Sequence, residues 1–121
     1  MRIVKLLFGL AVALTLAGCH SAYIAATVSN HTQQPLTLIE VDYPSASFGT
    51  QTLAPGQDFH YRFKVLGNGA TAILWTDPGN HEHKNAGPSL KEGDEGQLTI
   101  TFAGGSTPTW NLHLNNRSPG A

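Results

Sequence analysis

The eight residues 58 to 65, Asp-Phe-His-Tyr-Arg-Phe-Lys-Val, alternate strictly. Phe59, Tyr61, Phe63 and Val65 are apolar, whereas Asp58, His60, Arg62 and Lys64 are polar or charged. That period of two predicts a strand with one packed and one solvated face. Ahead of it, Leu-Ala-Pro-Gly-Gln puts Pro55 and Gly56 at the centre of a type II turn, since proline presets φ near −65° and glycine accepts the positive φ that follows. Behind it, Gly67-Asn68-Gly69 predicts a hairpin into a second strand over 70–76. Leu98, Ile100 and Phe102 alternate with threonines, and Trp110, Leu112 and Leu114 alternate with Thr109, Asn111 and His113, which predicts a second hairpin across Gly-Gly-Ser-Thr-Pro. Upstream, Tyr23–Val28 and Leu36–Tyr43 read as strands joined by a polar loop ending in Pro35, and Phe48–Leu53 completes seven. Between Leu36 and Leu38 on one side and Ile39, Val41 and Tyr43 on the other, the apolar parity flips. A bulge or a change of sheet is therefore expected there.

Seven short strands and no apolar repeat at helical spacing over three turns indicate an all-β domain over residues 23–114, with 115–121 a polar, disordered tail. An antiparallel two-sheet sandwich of immunoglobulin-like type is expected, with a small barrel as the alternative. Trp75 is its expected core tryptophan. The inter-sheet disulfide of antibody domains has no counterpart, because Cys19 is the one cysteine of the chain.

The N-terminus follows a different grammar. Arg2 and Lys5 precede a stretch from Leu6 to Gly18 that is broken only by Thr15. As a helix it would reach about 20 Å, short of the ~30 Å hydrocarbon layer, so it reads as a secretory leader rather than a membrane span. Leu16, Ala17, Gly18 and Cys19 at its end resemble the lipobox of bacterial lipoproteins. The resemblance implies signal peptidase recognition through Leu16, Ala17 and Gly18, removal of residues 1–18, and a diacylglyceryl lipid on the Cys19 sulfur. Residues 19–22 then form a lipidated N-terminus and short tether. His20, where an aspartate would favour inner-membrane retention, resembles a signal for the periplasmic face of the outer membrane. The expected partners are the membrane and other envelope proteins, and no cofactor is expected beyond the covalent lipid.

Composition narrows the remaining classes. Two of the seven Lys and Arg residues lie in the leader, so five remain in the chain after it against eight Asp and Glu. This mild acidity does not suit nucleic acid. With no second cysteine, neither a disulfide nor a Cys-x-x-Cys zinc site is available.

Candidate chemistry is confined to a few clusters. In Asp77-Pro-Gly-Asn-His81-Glu-His83-Lys84, two histidines at i, i+2 on a strand would point the same way and could share Zn²⁺ or Cu²⁺, with a third ligand from His60, His113 or Asp77. The alternative is a turn with solvated histidines. Glu92, Asp94 and Glu95 in Lys-Glu-Gly-Asp-Glu-Gly-Gln could hold Ca²⁺ weakly, but they lack the EF-hand ligand pattern and read as a solvated turn. No Gly-x-Ser-x-Gly, phosphate-cradling glycine loop or His-Glu-x-x-His occurs, and a non-catalytic binding or structural module is the expectation. Asn30-His-Thr and Asn116-Arg-Ser match glycosylation sequons, which the bacterial resemblance makes coincidental.

Overall fold

A computed structural model describes residues 21–104 and 107–115; the leader, the lipobox and the tail beyond Asn115 lie outside the described residues. Among the described residues eight strands form: β1 Ile24–His31, β2 Leu36–Tyr43, β3 Ala46–Leu53, β4 Asp58–Phe63, β5 Gly69–Thr76, β6 Glu82–Leu90, β7 Gly96–Ala103 and β8 Thr109–Leu114. They make two four-stranded sheets, β4-β1-β7-β8 and β3-β2-β5-β6, packed face to face as a sandwich.

Strands β1 and β4 stand where B and E stand in an immunoglobulin-type sandwich, and β3-β2-β5-β6 reproduces C′-C-F-G. The far side of β1, where strand A would lie, is taken by β7, which runs parallel to β1 from Ile24↔Gly96 to His31↔Ala103. The sandwich expected from the alternation is therefore present, with one parallel pair among otherwise antiparallel pairings.

Two expectations need correction. The seven strands expected leave out one: Glu82–Leu90, where solvated histidines after a turn were the alternative, is strand β6, paired with β5. Nor do 58–65 and 70–76 form a hairpin, since β4 pairs with β1 and β5 with β2, so the intervening residues cross between sheets. Gly67 does take the positive φ expected of it, at 91°. The local turn signal was sound, but turn chemistry does not specify which sheet receives the next strand.

The type II turn forms as expected: Gly56 has φ 76°, and the Gln57 amide donates to the Ala54 carbonyl at 3.0 Å. The parity flip in β2 is a bulge between Thr37 and Glu40, which leaves Leu36 and Ile39 buried and extrudes Leu38 at φ 50° with 62% exposure.

Inner positions of both sheets build one core around Ile24, Val28, Ile73, Leu98 and Ile100, all fully buried. Each such side chain contributes about 1.5–3 kcal/mol relative to exposure. Aromatic rings close one flank between the edge strands β3 and β4, with Phe48 stacked on Tyr61 at 4.5 Å and Tyr43 on Phe63 at 4.1 Å. On the other flank Trp110 of β8 crosses to β6, where its Nε1 donates to Asn85 Oδ1 at 2.7 Å. Its ring lies over Gly87, where an added Cβ would come within 2.5 Å of both the indole and Thr71 Oγ1.

Candidate functional site

The β1–β2, β5–β6 and β7–β8 connections meet at one end of the sandwich around a cavity of about 820 Å³. Leu36, Trp75 and Phe102 supply its apolar part, and the rim includes His31, Gln33, Asp77, His83 and Lys84.

Asn30 sets the first wall. The last strand residue before the polar loop but one, it is fully buried, and every hydrogen-bonding position of its amide is filled. Nδ2 donates to the Gln34 and Leu53 carbonyls, both at 2.9 Å, while Oδ1 accepts from the Thr32 amide at 2.9 Å and the Thr32 hydroxyl at 2.6 Å. Its backbone also pairs with Gln57 and Gly56 of the β3–β4 turn. One side chain thus fixes the 31–35 loop against β3, and no glycan could reach that nitrogen in the folded domain. The other sequon lies outside the described residues.

The second wall is the β5–β6 turn. The Asn80 amide donates to the Asp77 carbonyl at 2.9 Å, the Asp77 amide to the His81 carbonyl at 2.9 Å, and Asn80 has φ 65°. This is a three-residue hairpin loop, a turn followed by a left-handed residue. It folds Asp77 back onto the first residues of the returning chain. Oδ1 accepts the His81 amide at 3.0 Å and Oδ2 accepts from His83 Nε2 at 2.8 Å. The His83 hydrogen bond, then the His81 amide, lower the Asp77 carboxyl to a pKa of about 2. His83 is further held by stacking on Trp75, with ring centroids 5.1 Å apart and planes 15° apart, and Phe102 meets Trp75 edge-on at 5.0 Å. Trp75 is buried between the sheets, as expected.

Of the candidate metal ligands, Asp77, His81 and His83 come together, with His81 Nδ1 3.4 Å from Asp77 Oδ1. His60 does not join them: it lies on β4, with Nδ1 3.0 Å from Thr27 Oγ1. His113 lies on β8 opposite Gln97. Among the described residues no three His, Cys, Asp or Glu side chains are placed to hold a metal ion. The Asp77 carboxylate lies between the two imidazoles as their shared partner.

The acidic turn is built into the fold. Asp94 is buried and its Oδ2 accepts the Lys91 amide at 2.8 Å, while Glu92 Oε1 accepts the Gly67 amide at 3.3 Å.

Position along the sandwich matters as much as composition. Strand β1 enters at Ile24 and ends at His31 on the cavity rim, so its eight residues separate the cavity from the N-terminal link by about 25 Å at ~3.3 Å per residue. At the N-terminal end the Gly96 amide donates to Tyr23 and the Asn115 amide to Glu95, so both ends of the domain emerge opposite the cavity.

Sequence reasoning singled out Asp77, His81, His83 and Trp75 but missed Asn30, His31 and Gln33 as parts of one site. Asn30-x-Thr32 does carry the local signal of an Asx turn, an asparagine whose side chain caps an amide two residues on.

No protein-family model matches the chain, and no curated protein matches it in sequence. Its fold is similar to an NMR structure of a protein from Eubacterium rectale, with a TM-score of 0.54 at 9% identity, covering 79% of this chain and 93% of that one.

Proposed function

We propose that this chain is a lipid-anchored lipoprotein of the bacterial envelope, held by Cys19 at the periplasmic face of the outer membrane, whose β-sandwich is a non-catalytic binding module. One observation carries the reading: the cavity and the N-terminal link lie at opposite ends of the domain. A lipid at Cys19 would leave only residues 20–23 before β1, a reach of about 13 Å, so the tethered domain directs its cavity away from the bilayer. Two or more acyl chains on one residue make attachment effectively permanent and confine the module to a thin layer, which raises its encounter rate with envelope partners. With Trp75, Phe102 and Leu36 below and His31, Gln33, Asp77, His83 and Lys84 around it, the cavity suits a polar ligand that has one apolar face.

The test is Cys19→Ser in cells. Loss of lipid labelling and of cleavage after Gly18 is expected, so that the protein accumulates with its leader attached. A variant still cut at that bond and still membrane-bound overturns the anchor.

The alternative that the sequence raised is a zinc- or copper-binding lipoprotein; His81 and His83 both meet Asp77, but no three ligands among the described residues are placed to hold the ion. Calorimetric titration of Zn²⁺ and Cu²⁺ into the protein and into a His81→Ala/His83→Ala variant separates the two readings, since equal heats remove the metal.

A further inference from the structure

The cavity rim carries an imidazole that is fixed from two directions. Asp77 is ionised above about pH 2, so its Oδ2 only accepts, and the 2.8 Å contact places the proton of a neutral His83 on Nε2. Nδ1 is then an acceptor, and no described residue bonds it. Stacking on Trp75 sets the ring plane, while the side chain stays 42% exposed on the side turned from the indole. A ring held in one tautomer and one plane is a preorganised contact, because little ordering remains to be done when a ligand arrives.

Three more polar side chains of the lining are uncommitted. Among the described residues Gln33, Gln34 and Lys84 make no side-chain hydrogen bond or ion pair. The loop that presents the two glutamines is nevertheless held in place, since the Gln34 carbonyl accepts from Asn30 Nδ2 and from the Thr32 hydroxyl, both at 2.9 Å. Each glutamine amide offers an acceptor oxygen and two donor hydrogens. The floor consists of the margins of Leu36, Trp75 and Phe102, at 5%, 7% and 2% exposure, so it is apolar and backed by the core.

These features restrict the ligand. Lys84 and Asp77 are the one lysine and the one carboxylate of the lining, and their charges cancel, which favours a ligand without net charge. An aliphatic or plain aromatic molecule would cover the two amides and Nδ1 and leave them without partners. A saturated ring with C–H groups on one face and hydroxyls around its edge meets both demands. Its hydroxyls donate and accept, as the amides do, and one of them can donate to Nδ1. Its C–H face matches the apolar floor and the π face of the imidazole. At about 820 Å³ the cavity falls within the ~300–1,000 Å³ of small-ligand sites.

We propose that the cavity binds a neutral sugar, with its C–H face toward His83 and the floor and its hydroxyls on His83 Nδ1 and the amides of Gln33 and Gln34. The inference rests on the reading of this cavity as a binding site and does not need the lipid anchor.

The probes are cellobiose and N,N′-diacetylchitobiose, with benzoate as an aromatic anion that has no hydroxyl. Each is titrated into isotope-labelled full-length protein in a detergent without a sugar headgroup, and NMR follows the side-chain amides of Gln33 and Gln34, the Trp75 indole and the backbone. At least one sugar is expected to shift the cavity signals saturably, with a millimolar dissociation constant. Gln33→Ala/Gln34→Ala keeps the Gln34 carbonyl that Asn30 holds and should weaken that binding at least fivefold. His83→Phe keeps a ring against Trp75 but removes the acceptor and should weaken it as much; the glutamine variant carries the test if His83→Phe does not fold. Sugar binding that the glutamine variant leaves intact, or shifts confined to another face, overturns the proposal. Shifts from benzoate alone overturn the sugar while leaving the cavity a binding site. Silence from all three probes at tens of millimolar overturns the sugar and counts against the site itself.

Discussion

Replacing Asn30 by aspartate changes almost no volume and inverts half of the hydrogen-bonding character of a fully buried group. The two acceptor contacts from Thr32 survive, at 2.9 and 2.6 Å. The two donor contacts do not, because a carboxylate oxygen would face the Gln34 and Leu53 carbonyls across the same 2.9 Å gaps. Losing two bonds and leaving partners unsatisfied costs about 1–3 kcal/mol each, and enclosing a charge without a cation adds to that. The expected loss at pH 7 is therefore about 3–5 kcal/mol, a large part of the 5–15 kcal/mol typical of a domain. Burial raises the introduced carboxyl's pKa in the folded state above its unfolded value of about 3.9. The sign follows: the penalty is smallest below pH ~4, where both states are protonated, and grows as pH rises toward the folded pKa. Urea unfolding followed by tryptophan fluorescence at pH 4, 5.5 and 7 measures it. A variant within 1 kcal/mol of wild type, with a pH-independent difference, would refute the role given to Asn30 in closing this end of the sandwich.

Further outcomes follow from other contacts. Gly87→Ala should destabilise by about 1–3 kcal/mol, read as a lower Tm, because its methyl meets Thr71 and the Trp110 ring; an unchanged Tm would mean that Trp110 does not lie over β6. Leu38→Asn should stabilise by about 0.5–1 kcal/mol, since asparagine tolerates the positive φ that leucine holds there and Leu38, 62% exposed, packs little. Because the Asp77 pKa is lowered to about 2, its stabilisation is complete above the unfolded value near 3.9 and fades as pH falls toward 2. Acid titration of the two proteins should show Asp77→Asn lacking that part of the dependence and moving His83 relative to Trp75, seen as altered tryptophan emission.

Most of the framework was legible in the sequence because inner positions of central strands must be apolar and outer ones need not be. Alternation revealed β4 and β7, while the parity flip at Leu38 revealed the bulge. Strand β6 was illegible for a physical reason. As an edge strand its inner positions are His83, Asn85 and Gly87, which are satisfied by the Trp75 ring, the Trp110 indole N–H and space for that indole rather than by apolar packing. A polar residue that stacks or bonds across the flank looks in sequence like a loop residue. The same holds at the cavity: Asp77 and His83 could be picked out because they lie six positions apart. Asn30 gains its importance from Leu53, twenty-three residues away, which no local pattern encodes.

The parallel partnership of β1 and β7 ties the first strand to residues that are made roughly seventy positions later. During synthesis from the N-terminus, Ile24, Ala26 and Val28 exist long before the strand that covers their flank, so the nascent chain carries an uncovered sticky ribbon until it is nearly complete. Closure over so long a loop slows folding relative to a hairpin-by-hairpin β-domain of equal size. A chain stopped short of β7 would have its hairpin signals in place and still be a substrate for chaperones and proteases.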